Sequence, residues 1–186
     1  MTFRIVLCVL GFALSHSAIA RGDLRIDLRI QTPARPERIH TLELCARPTD
    51  QRGQGPGHAF VVFRGDGDGR QSEFLAVGFG PEAEKNTALP VTGVLKPENF
   101  THAEQRCLIA EVSRSVYNEA RSFVEAQREI SIGDIKVPVR SKYIVVLSDC
   151  VKFQSGVAKF LKLKLPSRAT NLTPMQFIAA LIEANK

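Results

Sequence analysis

The sequence predicts an α+β fold, an antiparallel sheet packed by helices, and three observations carry that expectation. Short apolar runs rich in β-branched and aromatic residues, bounded by glycine and proline, concentrate in the first half of the 186-residue chain. Helical periodicity concentrates in the second half, a segregation typical of α+β rather than alternating α/β architecture. A hydrophobic content of 44% and a charged content of 24% are ordinary for a globular domain.

Residues 1–20 are expected to lie outside that domain. Arg4 precedes a short, almost wholly apolar run, and Ala18-Ile19-Ala20 supplies a small-residue cleavage pattern. These are the parts of a secretory signal peptide. The run is shorter than the roughly 20 apolar residues a membrane-spanning helix needs. Removing 20 of 186 residues leaves 166, a length that suits one domain spanning 21–186. The expected location is secreted or periplasmic, with no transmembrane segment.

The elements follow in order. Residues 24–30 alternate apolar and charged side chains and read as a half-buried strand. Pro33 and Pro36 break the pattern, and 39–46 reads as a second strand. A loop over 47–57 holds Pro48, Gly53, Gly55 and Pro56. Residues 58–64 form an apolar run read as a buried strand, and 72–79 return as its hairpin partner across a glycine-rich turn. Asp66 and Asp68 in that turn lack the further acidic ligands and closing Glu of a calcium loop, so the segment reads as a turn. Residues 80–99, with three prolines, read as irregular. A long helix is expected over 101–129, with Thr101 and Glu104 as a capping box and Val116, Ala120 and Phe123 as its apolar stripe. Strands are expected at 135–139 and 143–147, the first at an edge because of Pro138. A helix from Cys150 to about Leu163 follows, capped by Ser148 or Asp149, with Val151, Gln154, Val157, Ala158 and Leu161 on one face. Thr173, Pro174 and Gln176 open the last helix as N-cap, first residue and third residue, with Phe177, Ile178, Leu181 and Ile182 buried. Asn99 and Asn171 begin glycosylation sequons, but Thr101 and Thr173 are better explained as helix caps.

The net charge of +6 is spread along the chain, and the densest basic patch is Lys159, Lys162 and Lys164. A solvated helix end accounts for it through the helix dipole. Attraction to an anionic surface is the functional alternative. No nucleic-acid-binding motif appears, and no cofactor or metal site is expected.

Cys45, Cys107 and Cys150 remain once Cys8 is removed with the leader. In an oxidising compartment an odd count leaves one thiol over. Three pairings are open, and the one joining Cys45 to Cys107 leaves Cys150 free.

Two segments suggest chemistry. His58 opens an apolar strand directly after Gly57, and Cys150 lies where an apolar run gives way to helical periodicity. A helix N-terminus and a nearby imidazole both favour a thiolate, and unpaired N–H groups there suit an oxyanion. The expected roles are Cys150 as nucleophile and His58 as general base. Glu73, with Ser72 beside it, is the candidate for orienting the imidazole from the neighbouring strand.

Gly57-His58-Ala59-Phe60-Val61-Val62 and Asp149-Cys150-Val151-Lys152-Phe153 together resemble the circularly permuted papain-like superfamily. That group includes lecithin:retinol acyltransferase-like enzymes and permuted bacterial amidases and peptidases. Its pattern places a histidine at a strand start, a polar partner on the next strand, and an Asn-Cys-x-x-Phe-like segment at a helix start. Asp149 replaces the Asn, and its negative charge opposes thiolate formation. The resemblance spans roughly residues 55–165 and implies a permuted papain-like fold that cleaves or transfers amide or ester acyl groups. The implied partner is an acyl, peptide or cell-envelope substrate. The alternative expectation is a non-catalytic secreted binding domain on the same scaffold, directed to an anionic surface. The oligomeric state is not encoded in any motif.

Overall fold

The computed structural model describes residues 24–29, 40–48, 57–65, 73–82, 91–98, 105–132, 135–138, 141–143, 150–167 and 172–186. The expected signal peptide, residues 66–69 of the expected 65–69 turn, the Thr101/Glu104 cap, Ser148 and Asp149 lie outside these residues. Among the described residues, nine strands run in chain order: β1 (Leu24–Asp27), β2 (His40–Arg47), β3 (His58–Gly65), β4 (Glu73–Pro81), β5 (Val91–Pro97), β6 (Arg106–Val112), β7 (Glu129–Ile132), β8 (Ile135–Pro138) and β9 (Ser141–Tyr143). Three helices accompany them: α1 (Arg114–Arg128), α2 (Cys150–Phe160) and α3 (Pro174–Ala184). The fold is therefore α+β, with a sheet packed by helices.

The main sheet has the order β1-β6-β2-β3-β4-β5-β9, and β7 pairs with β8 separately. Every neighbouring pair of the main sheet is antiparallel except β1 with β6, so the sheet is mixed rather than purely antiparallel. β1 joins as an edge, setting Leu24 against Leu108 and Ile26 against Ala110. Its outward Arg25 reaches Glu111 at 2.7 Å across the pair.

Alternation along the strands divides the sheet into two faces. Leu42, Leu44, Val61, Phe63, Val77, Leu108 and Ala110 face one way and pack with the buried sides of all three helices. Cys45, Phe60, Val62, Ala76 and Cys107 form a smaller apolar cluster on the other face. β3 is buried on both faces from Ala59 to Phe63, which explains its unbroken apolar run. The hairpin expected between β3 and β4 forms, with Phe60 opposite Gly78 and Gly65 opposite Glu73.

Two expectations need correction. The helix expected over 101–129 is instead β6 followed by a shorter α1. Cys107 and Ile109 face one side of β6, while Leu108, Ala110 and Val112 face the other. With apolar residues on both faces, a strand cannot be separated from a helix by period alone. Ser113 marks the change: its Oγ accepts from the Val116 N–H at 3.5 Å, and its carbonyl accepts from the Tyr117 N–H at 3.0 Å. The buried stripe of α1 is Tyr117, Ala120 and Val124, whereas Phe123 is 40% exposed and stacks on Phe160. The stretch 80–99, expected to be irregular, contains β5. Pro81, Pro90 and Pro97 read as breakers, but Val91, Thr92, Val94 and Leu95 find ladder partners in β4 and β9.

The two C-terminal helices match expectation closely. α2 buries Val151, Phe153, Gln154, Val157 and Ala158, and α3 buries Phe177, Ile178, Leu181 and Ile182. The α3 capping box is complete: Thr173 Oγ1 accepts from the Gln176 N–H, and the Gln176 side chain accepts from the Thr173 N–H. After α2 the chain turns through Lys162 in the left-handed region, φ 56°. The Lys162 N–H bonds the Lys159 carbonyl and the Leu163 N–H bonds the Ala158 carbonyl, the pair of bonds that defines a Schellman cap.

Candidate thiol–imidazole site

The site lies where the start of β3 meets the first turn of α2. Gly57 precedes His58 with φ +82°, and a Cβ there would come within 2.9 Å of the Arg47 carbonyl oxygen. Only glycine takes that turn without strain, so Gly57 sets how the chain enters β3. The β2–β3 register then puts His58 directly opposite Arg47.

Glu98 follows immediately after β5. Its N–H bonds the Ala76 carbonyl at 2.9 Å, which continues the β4–β5 ladder by one step. That bond brings the carboxylate over β4 toward the His58 ring. His58 Nε2 and Glu98 Oε1 are 2.8 Å apart, and Arg47 Nη2 donates to Glu98 Oε2 at 2.7 Å. Both carboxylate oxygens are thereby engaged. His58 is 21% exposed and Glu98 11%. Phe60 forms the floor, with the Arg47 guanidinium 5.2 Å from its centroid and the His58 ring stacked at 6.2 Å.

Gly78 leaves room for this arrangement. A Cβ at Gly78 would lie 2.4 Å from His58 Nε2 and 2.6 Å from Glu98 Oε1. The imidazole–carboxylate bond occupies the space a side chain would take.

Cys150 is the first residue of α2 and carries a free thiol, because Cys45 and Cys107 are joined in a disulfide. The two half-cystines sit directly opposite each other on β2 and β6, with Cα atoms 4.2 Å apart. Of the three pairings left open by the sequence, this one spares Cys150. Gln154, one turn along α2 and wholly buried, fixes the helix to the sheet. Its Nε2 donates to the carbonyls of Cys45 at 2.8 Å and Phe60 at 2.9 Å.

Cys150 lies close enough to His58 to influence its ionisation. Burial disfavours a charged ring, but the favourable interactions with Cys150 and with the Glu98 carboxylate outweigh it, raising the His58 pKa to about 9. Glu98 shifts the other way. Burial opposes its ionisation, yet the hydrogen bond and charge of His58, and those of Arg47, hold its carboxyl below the usual range.

The structure brings His58 and Cys150 together and leaves Glu73 apart. Glu73 pairs in register with Gly65, seven residues beyond His58, which is about 23 Å along the strand at ~3.3 Å per residue. Its carboxylate instead accepts from Arg121 at 2.7 Å and from the Tyr117 hydroxyl at 3.3 Å. Glu98 takes the place expected of Glu73, and Ser72 lies outside the described residues. Arg47, Gly78 and Glu98 are not among the expected site residues, since the sequence over 80–99 reads as irregular and carries no sign of the β4 register. Among the described residues, the candidate metal-ligand group is Glu43 with Cys45 and Cys107, whose sulfurs are consumed in the disulfide. No described helix is long and apolar enough to cross a membrane. The chain matches no protein-family model, no curated protein and no solved structure.

Proposed function

We propose that this protein is an exported thiol-dependent amidase, peptidase or acyltransferase of the permuted papain-like type. The observation that carries the reading is the convergence of His58, Glu98 and Cys150 from three distant chain segments at one end of the sheet. In this reading Glu98 orients His58, and His58 holds the proton given up by Cys150. The thiolate attacks an acyl carbon, and backbone N–H groups in the first turn of α2 face the developing oxyanion. His58 returns the proton to the leaving amine or alcohol. Water or a second acceptor then releases the acyl group from the thioester, with His58 taking the acceptor's proton. The chain order histidine, acid, cysteine suits the permuted arrangement, although the acid comes from the end of β5 rather than from the next strand. The Cys45–Cys107 disulfide supports an oxidising, extracytoplasmic setting.

One observation favours the second reading, a non-catalytic secreted binding domain. Cys150 is only 4% exposed, so the same pair would serve there to hold α2 on the sheet. Carboxamidomethylation with iodoacetamide at pH 6–7, read by intact mass and peptide mapping, separates the two. The enzyme reading expects fast, selective modification of Cys150, together with turnover of activated ester or amide substrates that Cys150→Ala abolishes. Slow modification at the rate of an unactivated thiol, without turnover, refutes it in favour of the binding domain.

A further inference from the structure

We propose that Arg47 is a positioning residue of this site, fixing the Glu98 carboxylate in the one orientation that serves His58. The inference rests on the thiol–imidazole reading and adds a member to it. A glutamate side chain has three rotatable bonds, and one hydrogen bond to an imidazole does not settle them. Arg47 supplies the second anchor, bonding Oε2 at 2.7 Å while His58 takes Oε1. The anchor is itself held, because its backbone is paired with that of His58 and its guanidinium lies over Phe60. Arg47 and Glu98 are 19% and 11% exposed, so the contact is largely withdrawn from solvent. An ion pair of this kind is weak grounds for net stability, since desolvation offsets much of the attraction. Geometry is what it supplies.

The two roles open to Arg47 predict opposite signs. The charged or titratable groups engaged around His58 are Glu98 at the end of β5, Cys150 on α2 and, through Glu98, Arg47 on β2. A cation acting by charge alone disfavours a protonated imidazole, so its removal would raise the proton affinity of His58. A cation acting by positioning favours the imidazolium through Glu98, so its removal lowers that affinity.

The experiment is an NMR titration of the His58 ring in the full chain, assigned with His58→Asn. It compares the wild type with Arg47→Met, which keeps the packing on Phe60, and Arg47→Lys, which keeps the charge without the planar fork. Thermal melts accompany each variant. The expected midpoint lies near 9 in the wild type. It should fall by at least about one pH unit in Arg47→Met, the scale on which a neighbouring charge acts, and by less in Arg47→Lys. Glu98→Gln should reproduce the fall, and adding Arg47→Met to it should change little. Midpoints at or above the wild-type value in both Arg47 variants overturn the proposal while leaving the dyad intact. An ordinary midpoint near 6.5 in the wild type overturns the dyad reading and the proposal together.

Discussion

Gly78→Ala tests the site without touching any residue that carries its chemistry. The added methyl would stand 2.4 Å from His58 Nε2 and 2.6 Å from Glu98 Oε1, where ordinary contact begins near 3.4 Å. One or both groups must therefore retreat by about 1 Å, and their 2.8 Å bond cannot survive unchanged. The backbone itself accepts alanine, because Gly78 is not in the left-handed region. Local overpacking should cost ~1–3 kcal/mol. The larger effect falls on Cys150. At pH 6 a thiol of ordinary pKa, about 8.5, is only ~0.3% ionised. Losing the imidazolium should slow alkylation on the order of tenfold to a hundredfold, once the greater intrinsic nucleophilicity of a more basic thiolate is allowed for. A displacement of ~1 Å costs on the order of 10²-fold in turnover on the same argument. Gly80→Ala is the matched control, two residues along the same strand, where a Cβ meets nothing within 4 Å. The assay is the second-order rate of iodoacetamide modification at pH 6, with circular dichroism and a thermal melt on each variant. Equal rates for Gly78→Ala, Gly80→Ala and the wild type would refute the claim that the His58–Glu98 contact governs the thiol.

Three further outcomes are expected. His58 has a folded pKa of about 9 against 6.5 unfolded, so its contribution is fully present below pH 6.5 and is lost as pH rises through 9. That contribution amounts to at most about 3–4 kcal/mol at 1.36 kcal/mol per unit, and chemical denaturation from pH 6 to 10 should show it in the wild type but not in His58→Asn. Replacing Cys45 and Cys107 together by Ala opens a closed loop with a sequence separation of 62. On chain-entropy grounds this destabilises by up to about 4 kcal/mol, and reductant should lower the melting temperature of the wild type but not of the double variant. Lys162→Gly relieves a left-handed backbone at φ 56° and should raise stability by ~1 kcal/mol in a denaturant titration; a loss of stability would show that the Lys162 side chain contributes more than the strain removes.

The legible parts of the fold share one property: their determinants are local. The α3 start is specified by Thr173, Pro174 and Gln176 within four residues. The α2 stripe repeats at helical spacing, and Ala59–Phe63 is too apolar and too β-branched to be other than buried. The segment Cys107–Val112 does not show its strand character locally, because β1 and β2 on either side confer it, not its own period. The same holds for β5. Its glycine and prolines are breakers in isolation, but the ladders to β4 and β9 override them, as tertiary pairing commonly overrides strand propensity.

The site divides along the same line. His58 and Cys150 stand out in the sequence by local context, a glycine before a strand and a cysteine at a helix start. Glu73 is near His58 only along the hairpin, whereas the register sets it beside Gly65 and near Arg121. Glu98 arrives through β5, which its own sequence does not reveal, carried one step past Pro97 by a bond to Ala76. Arg47 arrives by pairing with His58 itself, and Gly78 matters only for what it lacks. An orienting group is thus defined by registers across four strands, β2 to β5. A one-residue slip in any of them would turn Arg47, His58, Gly78 or Glu98 to the opposite face. The disulfide bears on the same problem, since Cys45 opposite Cys107 permits one register between β2 and β6. β2 also supplies Arg47 and, through the Cys45 carbonyl, the acceptor that helps hold Gln154 and hence α2. The covalent bond between β2 and β6 therefore fixes the strand that supplies both the Arg47 anchor of Glu98 and an acceptor for the helix bearing Cys150.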